Sequence, residues 1–171
     1  MYVRERSSGF TMIELLITIA ILGIILAFAV PSFQTMIENN RVTSQANSLL
    51  SAVNHARTEA IKRGVVVSVQ RDGAAGFANG YCVVAGALGN WNTCADARGA
   101  NSLLREFEAP GAVTITDGGA TGVSFDGRGF RASGGFSVQL EPPTCVAGEN
   151  RLRQVEVSLA GRARLMQGAC N

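Results

Sequence analysis

The chain of 171 residues is poor in the side chains that most often carry out chemistry. It has a single histidine, His55, and it lacks a G-x-S-x-G motif, a phosphate-binding lysine loop and any C-x-x-C pair. These absences predict no enzyme activity, no cofactor and no metal site. The chain is also too short for a two-domain enzyme once a membrane segment is set aside.

Charge is scarce as well, since charged residues make up 16% of the chain and the net charge is only +2. That balance does not predict nucleic-acid binding by the whole molecule, so any such function depends on a local cluster. Lysine is nearly absent, because Lys62 is the single lysine among 15 basic residues. The excess of arginine favours planar, paired contacts to carboxylate or phosphate groups.

One long apolar block is present, at residues 10–30. A helix of that length spans about 30 Å, which matches the hydrocarbon core of a bilayer. Arg4 and Arg6 precede the block, which predicts a cytoplasmic N-terminus and a globular part outside the membrane. Two simpler interpretations are a secretory signal cut after Ala29 and a plain membrane anchor, and Glu14 inside the apolar block argues against both.

The apolar pattern continues at three- and four-residue spacing through residues 31–63, with polar residues on the other side. Pro31 predicts a kink, and the continuing pattern argues against a helix end at that point. Arg63 and Gly64 supply a cationic last turn and a glycine cap. The sequence therefore predicts one helix over 10–63, membrane-bound in its first half and packed on a sheet in its second.

The remaining residues, 64–171, hold 18 of the 20 glycines and are typical of short strands joined by turns. The predicted strands are 65–71, 81–85, 103–107, 113–115, 123–125, 129–132, 136–140, 152–159 and 162–166. Asp126-Gly127 is a hairpin-turn signal, and the stretches 73–80 and 86–99 are predicted to be mobile loops. A long helix followed by strands predicts an α+β fold, with the helix covering an antiparallel β-sheet domain.

Four cysteines, Cys82, Cys94, Cys145 and Cys170, follow the apolar block and so lie on the side predicted to be oxidising. Two disulfides are therefore expected, and four cysteines allow three connectivities. The shortest loops favour Cys82–Cys94 together with Cys145–Cys170.

The stretch Gly-Phe-Thr-Met-Ile-Glu-Leu-Leu at residues 9–16 resembles the class III signal of type IV pilins and type II secretion pseudopilins. The resemblance implies a pilin-like lollipop fold and removal of the leader 1–9 by a prepilin peptidase that cuts after Gly9. It also implies methylation of the new Phe10 amine, which the Glu14 carboxylate of a neighbouring subunit would bind during fibre assembly. A simpler interpretation is that Glu14 only stabilises the start of the helix through the dipole.

The segment 150–171 carries a local charge of +3, from four arginines against one glutamate. The arginines are Arg151, Arg153, Arg162 and Arg164. Because alternate strand residues face the same side, the first two are predicted to share a side, as are the last two, with Gly161 in the turn. A solvated sheet edge, protected by charge from aggregation, explains this cluster as simply as a phosphate-binding surface does.

Gly-Arg-Ala-Arg at residues 161–164 resembles the G-R-x-R motif of FimT-type minor pilins, which are linked to DNA uptake in natural transformation. The hairpin at residues 125–129 also resembles the GspH/FimT/FimU domain. The resemblance implies a minor pilin that is anchored in the inner membrane and then incorporated at or near a pilus tip. Its implied partners are major and minor pilins, the inner-membrane assembly platform and double-stranded DNA.

The same resemblance implies that Arg162 and Arg164 contact the DNA backbone with little sequence preference. The arginines expected to assist them are Arg151, Arg153 and Arg131. Two alternatives remain open at this point. One is a GspH-type pseudopilin that serves protein secretion without binding DNA, and the other is an envelope-anchored domain with a conventional signal.

Overall fold

The computed structural model describes residues 10–108, 110–133 and 135–170. The leader 1–9, with the predicted cleavage site Gly9, lies outside the described residues. The chain divides into two compact units, Met1–Ile37 and Glu38–Asn171.

A single helix, α1 (Met12–Arg63), runs through both units. It ends where the sequence predicts, because Gly64 adopts a φ of +66° and its N–H donates to the carbonyl oxygen of Ala60 at 2.9 Å. Pro31 lies inside the helix and does not end it. Over residues 10–37 the large apolar side chains are exposed, Phe10 to 84%, and the helix is long and apolar enough to cross a membrane.

In the second unit α1 buries one stripe of apolar side chains at three- and four-residue spacing. The buried residues are Val42, Ala46, Leu49, Ala52, Val53, Ala56 and Ala60. Four of these are alanines, whose small side chains let neighbouring backbone approach the helix closely.

The strands are β1 (Val67–Arg71), β2 (Tyr81–Ala85), β3 (Leu103–Phe107), β4 (Thr114–Thr116), β5 (Gly122–Phe125), β6 (Arg131–Ser133), β7 (Phe136–Glu141), β8 (Leu152–Val157) and β9 (Ala163–Gly168). Within the described residues they form two antiparallel sheets, whereas the sequence predicts one. The first sheet has the order β3-β2-β1-β5-β6, and the second has the order β4-β7-β8-β9. Alternation of apolar residues predicts each strand but does not say which strands pair, so the division could not be foreseen.

One hydrophobic core joins α1 to both sheets. Phe125 in the first sheet and Phe136, Val138 and Val155 in the second are buried in the same cluster as the alanines of the helix. The ring of Phe77 meets the edge of the Phe136 ring at 5.6 Å between centroids, which packs a connecting segment into this core.

The two stretches predicted to be mobile loops contain regular structure. A 3₁₀ turn, Gly76–Asn79, lies in the first stretch, and a short helix, α2 (Cys94–Gly99), lies in the second. A capping box starts α2, because Thr93 and Asp96 each accept a hydrogen bond from the other's backbone N–H.

The disulfides are Cys82–Cys94, with 5.9 Å between Cα atoms, and Cys145–Cys170, with 5.8 Å. This is the connectivity that the shortest loops predict. The first disulfide joins α2 to β2, and the second joins the segment after β7 to the residues that follow β9.

Candidate functional site

The hairpin of β8 and β9 carries the G-R-x-R arginines at its tip. The two strands pair antiparallel, with Glu156 opposite Arg164. The turn is closed by the N–H of Ser158, which donates to the carbonyl oxygen of Arg162 at 3.0 Å. Arg162 therefore lies in the turn, immediately before β9, and Arg164 is the second residue of that strand.

Gly161 is required by the packing of this tip. Its φ is +74°, and a Cβ built on it would lie 2.0 Å from the carbonyl oxygen of Gly129. Gly129 belongs to the turn between β5 and β6, so the two hairpin turns meet backbone to backbone. The contact between the two turns therefore requires glycine at position 161, whatever the neighbouring arginines do.

Arg57 on α1 fastens both turns. Its Nε donates to the carbonyl oxygen of Gly129 at 3.0 Å, and its Nη2 donates to the carbonyl oxygen of Ala160 at 3.4 Å. The helix and the two turns therefore meet at one side chain. The side chains of Arg162 and Arg164 take no part in this fastening.

Both motif arginines are available to solvent. The Arg164 side chain is 54% exposed, and its Nη2 lies 3.4 Å from a carboxylate oxygen of Glu156, an exposed ion pair that contributes little stability. Arg162 is exposed, and the described residues offer its guanidinium no hydrogen-bond or ion-pair partner. One residue separates the two arginines at the tip of the hairpin, so they are close enough to contact one anionic surface together.

Arg128 is a further exposed cation at this tip, in a segment for which the sequence predicts only a turn. Its side chain is 83% exposed and contacts Asp126 at 3.2 Å. It immediately precedes Gly129, which touches Gly161, the residue before Arg162. Arg128 and Arg162 therefore flank one backbone contact, a proximity that no sequence spacing predicts. We call Arg128, Arg162 and Arg164 the tip arginines.

Asp126 organises the turn that carries Arg128. Its carboxylate accepts the backbone N–H groups of Phe130 at 2.9 Å and of Arg128 at 3.0 Å. These bonds, the one from Phe130 first, hold the pKa of Asp126 below its ordinary value of 3.8. Asp126 is thus engaged in holding the turn, although its charge offsets part of the positive potential.

The C-terminal end of α1 adds two cations close to this turn. A Cβ on Gly127 would lie 2.8 Å from the carbonyl carbon of Gly64, so the turn contacts the helix cap. Lys62 and Arg63 precede that cap, with side chains 66% and 49% exposed, and both pair with Glu59. Two further exposed cations therefore lie next to the turn that carries Arg128, with part of their charge offset by Glu59.

Arg151 does not belong to this surface, which corrects the expectation that it assists DNA binding. Its side chain is 12% exposed and precedes β8. Its guanidinium donates to Asn39 Oδ1 at 2.7 Å, to Glu38 Oε2 at 2.9 Å, to the Thr144 carbonyl oxygen at 3.1 Å and to Glu149 Oε2 at 3.2 Å. Arg151 instead ties the C-terminal segment to α1, and these bonds engage four of its five N–H donors.

Glu38 is the main acidic partner in this contact. The hydroxyl of Thr144 also donates to Glu38 Oε2. This hydrogen bond, and after it the guanidinium of Arg151, holds the pKa of the Glu38 carboxyl below its ordinary value of 4.5. We call Glu38, Asn39, Thr144 and Arg151 the base clamp, because it fastens the end of the hairpin opposite the tip.

The sequence predicts that Arg153 and Arg131 assist the motif arginines, and the structure gives the two side chains different surroundings. Arg153 is half-buried opposite Leu140, on the side of β8 that carries Val155, whereas Arg164 lies opposite Glu156 on the other side. Arg131 is half-buried, and its Nη1 donates to the carbonyl oxygen of Val157 at 2.6 Å. Arg131 thus bonds the first sheet to the second. Its backbone N–H donates to the carbonyl oxygen of Leu159 at 3.2 Å, in the turn that carries Arg162, so it lies beside the tip but is engaged in joining the sheets.

The acidic and sulfur atoms of Glu141, Cys145 and Cys170 form the one group of potential metal-ligand type found among the described residues. Its two sulfurs are bonded to each other in a disulfide. They are therefore unable to act as thiolate ligands.

The described part of the processing region gives Glu14 a local role. Its N–H donates to Thr11 Oγ1 at 3.3 Å, and its carboxylate accepts the Thr11 N–H at 3.5 Å. This is the pattern of a capping box, which stabilises the start of α1. These hydrogen bonds are consistent with the simpler interpretation, in which Glu14 stabilises the start of the helix. Pairing of Glu14 with a neighbouring Phe10 amine stays a prediction.

Two family profiles match the chain. The profile described as "Type II transport protein GspH" matches residues 45–161, and the "Prokaryotic N-terminal methylation motif" matches residues 4–30. Among curated relatives, a fimbrial protein of Pseudomonas aeruginosa is 45% identical over 60 residues, which is 35% of this chain and 38% of that protein. The pilin-like protein PilA1 of Thermus thermophilus is 38% identical over 73 residues, which is 40% of this chain and 44% of that protein. The matches thus span less than half the length of these relatives.

Solved structures of similar fold include the type IV minor pilin FimU of Pseudomonas aeruginosa. One FimU structure has a TM-score of 0.58 at 20% identity and covers 77% of this chain and 92% of that one. The minor pseudopilin EpsH of the Vibrio cholerae type 2 secretion system has a TM-score of 0.51 at 13% identity and covers 78% and 99%. At these identities the likeness concerns the fold alone.

Proposed function

Because the chain belongs to the GspH family of type IV minor pilins and pseudopilins, we propose that it is a minor pilin that binds double-stranded DNA through its tip arginines. The observation that best supports this proposal is that Arg162 and Arg164 are exposed and take no part in holding the turns together. The side chains of Arg57, Arg131 and Arg151, by contrast, bond to other parts of the fold.

Phosphate contacts supply the binding energy in this proposal. Each phosphate that a cation neutralises releases a condensed counterion, so binding weakens as salt rises and depends little on sequence. The tip arginines and the exposed cations at the end of α1 lie on connected turns, which favours several contacts to one backbone. The function is uptake of extracellular DNA during natural transformation, with no enzymatic step.

The proposed life cycle follows the pilin pattern. The peptidase cuts after Gly9, Phe10 is methylated, and the apolar half of α1 holds the chain in the inner membrane with residues 64–171 in the periplasm. The assembly platform then moves the subunit into the pilus, at or near its tip, together with other pilins. There the Glu14 carboxylate meets a neighbouring Phe10 amine inside the apolar fibre, where low dielectric strengthens their attraction.

A GspH-type pseudopilin that serves type II secretion is the second candidate. The likeness in fold to EpsH, at a TM-score of 0.51, favours it. This candidate needs assembly contacts but no DNA, so the tip arginines separate the two functions.

The test measures binding of the full chain, in detergent micelles, to labelled double-stranded DNA by fluorescence anisotropy over a range of salt. We expect a log–log slope of about −2 to −4, from two to four phosphate contacts at about −0.9 each. Replacing the two motif arginines among the tip arginines, Arg162→Gln with Arg164→Gln, should remove most DNA binding without changing the melting temperature, because exposed arginines contribute little stability.

A matched control carries the same loss of charge elsewhere. Arg41→Gln with Arg98→Gln removes two exposed arginines on α1 and α2. This control should keep most of the binding, and in cells it should keep transformation, whereas the tip variant should lower transformation yet leave pili assembled. Equal DNA binding by the tip variant and the parent at low salt would make the pseudopilin the leading candidate.

A further inference from the structure

A cavity of about 540 Å³ lies on the first sheet beside β1, away from the tip arginines. The end of β1, the residues after it and the segment that leads to α2 line this cavity, with Gln70, Arg71, Trp91, Asn92 and Thr121 as the side chains able to bind a polar ligand. Nothing in the proposed DNA binding uses these residues.

Gln70 is the feature that points to a ligand. Gln70 is 3% exposed, and neither its Oε1 nor its Nε2 has a hydrogen-bond partner among the described residues. Burying an amide without partners costs free energy, and folded proteins rarely tolerate it. Ser68, two residues earlier on the same side of β1, is equally buried but donates to the Gly86 carbonyl oxygen at 2.6 Å. A buried polar side chain on this side of β1 can therefore find a hydrogen-bond partner within the fold, as Ser68 does.

Arg71, the last residue of β1, also lines this cavity and has an unpartnered side chain. Its backbone N–H pairs with Thr121, but its guanidinium makes no hydrogen bond or ion pair with the described residues. A guanidinium of this kind favours a carboxylate or phosphate, which it binds through two parallel hydrogen bonds. No carboxylate side chain lines the cavity within the described residues, so a metal ion or an amine is disfavoured.

The walls of the cavity are built rather than loose. A Cβ on Gly86 would lie 2.7 Å from the Trp91 ring, and a Cβ on Gly122 would lie 2.7 Å from Leu88, so both side chains pack directly on backbone. The N–H of Cys94 donates to Asp72 Oδ1 at 2.9 Å, which ties the start of α2 to the residues after β1. The disulfide Cys82–Cys94 holds the same segment. A preformed site of this kind loses little entropy when a ligand binds.

We propose that this cavity binds one sugar unit that carries a carboxylate, such as a hexuronate residue of a polysaccharide. Hydroxyl groups both donate and accept, which suits the paired donor and acceptor of the Gln70 amide and the amide of Asn92. The indole of Trp91 presents an apolar surface with a polar edge to the ring, and the Arg71 guanidinium binds the carboxylate.

A nucleobase fits the lining less well. Binding of a nucleic-acid strand draws on a row of backbone cations with aromatic stacking, and Arg71 is the single cation among the described residues that line this cavity. The sugar proposal is therefore independent of DNA binding at the tip, and each can fail without the other.

Trp91 provides a direct readout because it is the one tryptophan in the chain. The full chain in detergent micelles is titrated with glucuronic acid, with glucose and with a deoxynucleoside monophosphate while tryptophan emission is recorded. We expect a saturable change with glucuronic acid, at least tenfold weaker binding of glucose, and no saturable change with the nucleotide. No response to either sugar, or a tighter response to the nucleotide, overturns the proposal.

Two variants locate the binding groups. Gln70→Met keeps the length of the side chain but removes the amide, so it should abolish the glucuronate response and raise the melting temperature by about 2–4 °C, as the buried unpaired amide is removed. Arg71→Gln should reduce the preference for glucuronate over glucose to near unity. A control, Gln154→Met, removes an amide that is already bonded to Ser137 and should leave the response unchanged.

The melting temperature of Gln70→Met also tests the simplest alternative, in which a bound water rather than a ligand pairs with the Gln70 amide. If bound water satisfies the amide as part of the fold, Gln70→Met should lower the melting temperature, and that result overturns the assignment of Gln70 to a ligand. A glucuronate response that persists in Gln70→Met overturns it as well.

Discussion

The two ends of the β8–β9 hairpin are fastened by different means. At the base, the Arg151 side chain does the fastening, with donors directed at Glu38, Asn39 and Thr144. At the tip, the backbone of Gly161 packs on Gly129, and Arg57 bonds to carbonyl groups from α1. The side chains of Arg162 and Arg164 therefore stay exposed at the tip, whereas the donors of Arg151, from the same local charge cluster, are bonded at the base.

This contrast shows that a cluster of like charges in sequence does not specify a surface. Four arginines within residues 150–171 appear equivalent by charge and strand alternation. In the fold, Arg151 is fixed by its bonds, Arg153 lies on the inner side of a strand, and Arg162 and Arg164 are exposed at the tip. Which residues bind an anion thus depends on what else holds the hairpin in place.

Breaking the tip backbone should have the largest effect. Gly161→Ala places a Cβ against the Gly129 carbonyl at a left-handed φ, and we expect a loss of about 2–5 kcal/mol in the free energy of unfolding. Gly148→Ala is a matched control, since its φ is +89° but nothing lies within 4 Å of the added Cβ, and it should cost about 1–2 kcal/mol. Urea unfolding of both variants measures the difference, and equal losses would show that the contact between the turns is unimportant.

Breaking the base clamp should have the next largest effect. Arg151→Met removes the donors that bind Glu38 and Asn39, and we expect the melting temperature to fall by about 4–8 °C. Arg153→Met should lower it by less than about 2 °C, since the Arg153 guanidinium bonds only to the neighbouring Leu152 carbonyl among the described residues. DNA binding should change little in either variant. A steep loss of DNA binding by Arg151→Met with an unchanged melting temperature would reverse the roles of base and tip.

The pH dependence of the base clamp should be smaller still. The pKa of Glu38 is lowered in the folded protein, so its contribution to stability is fully present above its ordinary value of 4.5 and is lost as pH falls through the lowered pKa. Glu38→Gln should therefore be less stable than the parent at about pH 7, and this difference should shrink toward about pH 3.

Thermal unfolding at several pH values measures this effect. Some acid sensitivity should persist in Glu38→Gln, because Asp126 also has a lowered pKa in the turn that carries Arg128. A stability difference between parent and variant that stays constant with pH would contradict the assigned role of the Glu38 carboxylate.

Local signals in the sequence predict the elements well. The end of α1 at Arg63 follows from the glycine cap at Gly64, and the turn at Asp126-Gly127 follows from its residue types. The short separations between cysteines gave the connectivity that the structure has. The helix end and the turn depend on neighbouring residues, and the disulfides join cysteines 12 and 25 residues apart, so all of them can be predicted from the sequence.

Contacts between distant residues were not predictable in the same way. The bond from Arg151 to Glu38 joins positions 113 residues apart, and no periodicity identifies it. Strand alternation places Gln70 on the side of β1 opposite Val69, but only the folded segment that carries Leu88 and Trp91 makes that side a cavity wall. Arg128 joined the tip arginines through a glycine–glycine contact, for which neither turn has a recognisable signal.

The place of β4 in the sheet order has a consequence for the order of folding. β4 (Thr114–Thr116) lies between β3 and β5 along the chain, yet it pairs with β7 in the second sheet. During synthesis from the N-terminus, the first sheet has all its strands once Ser133 is made, while β4 still waits for a partner. The first sheet can therefore pair fully before β7 is made, whereas β4 stays unpaired until then, and the G-R-x-R hairpin is the last part of the two sheets to be synthesised.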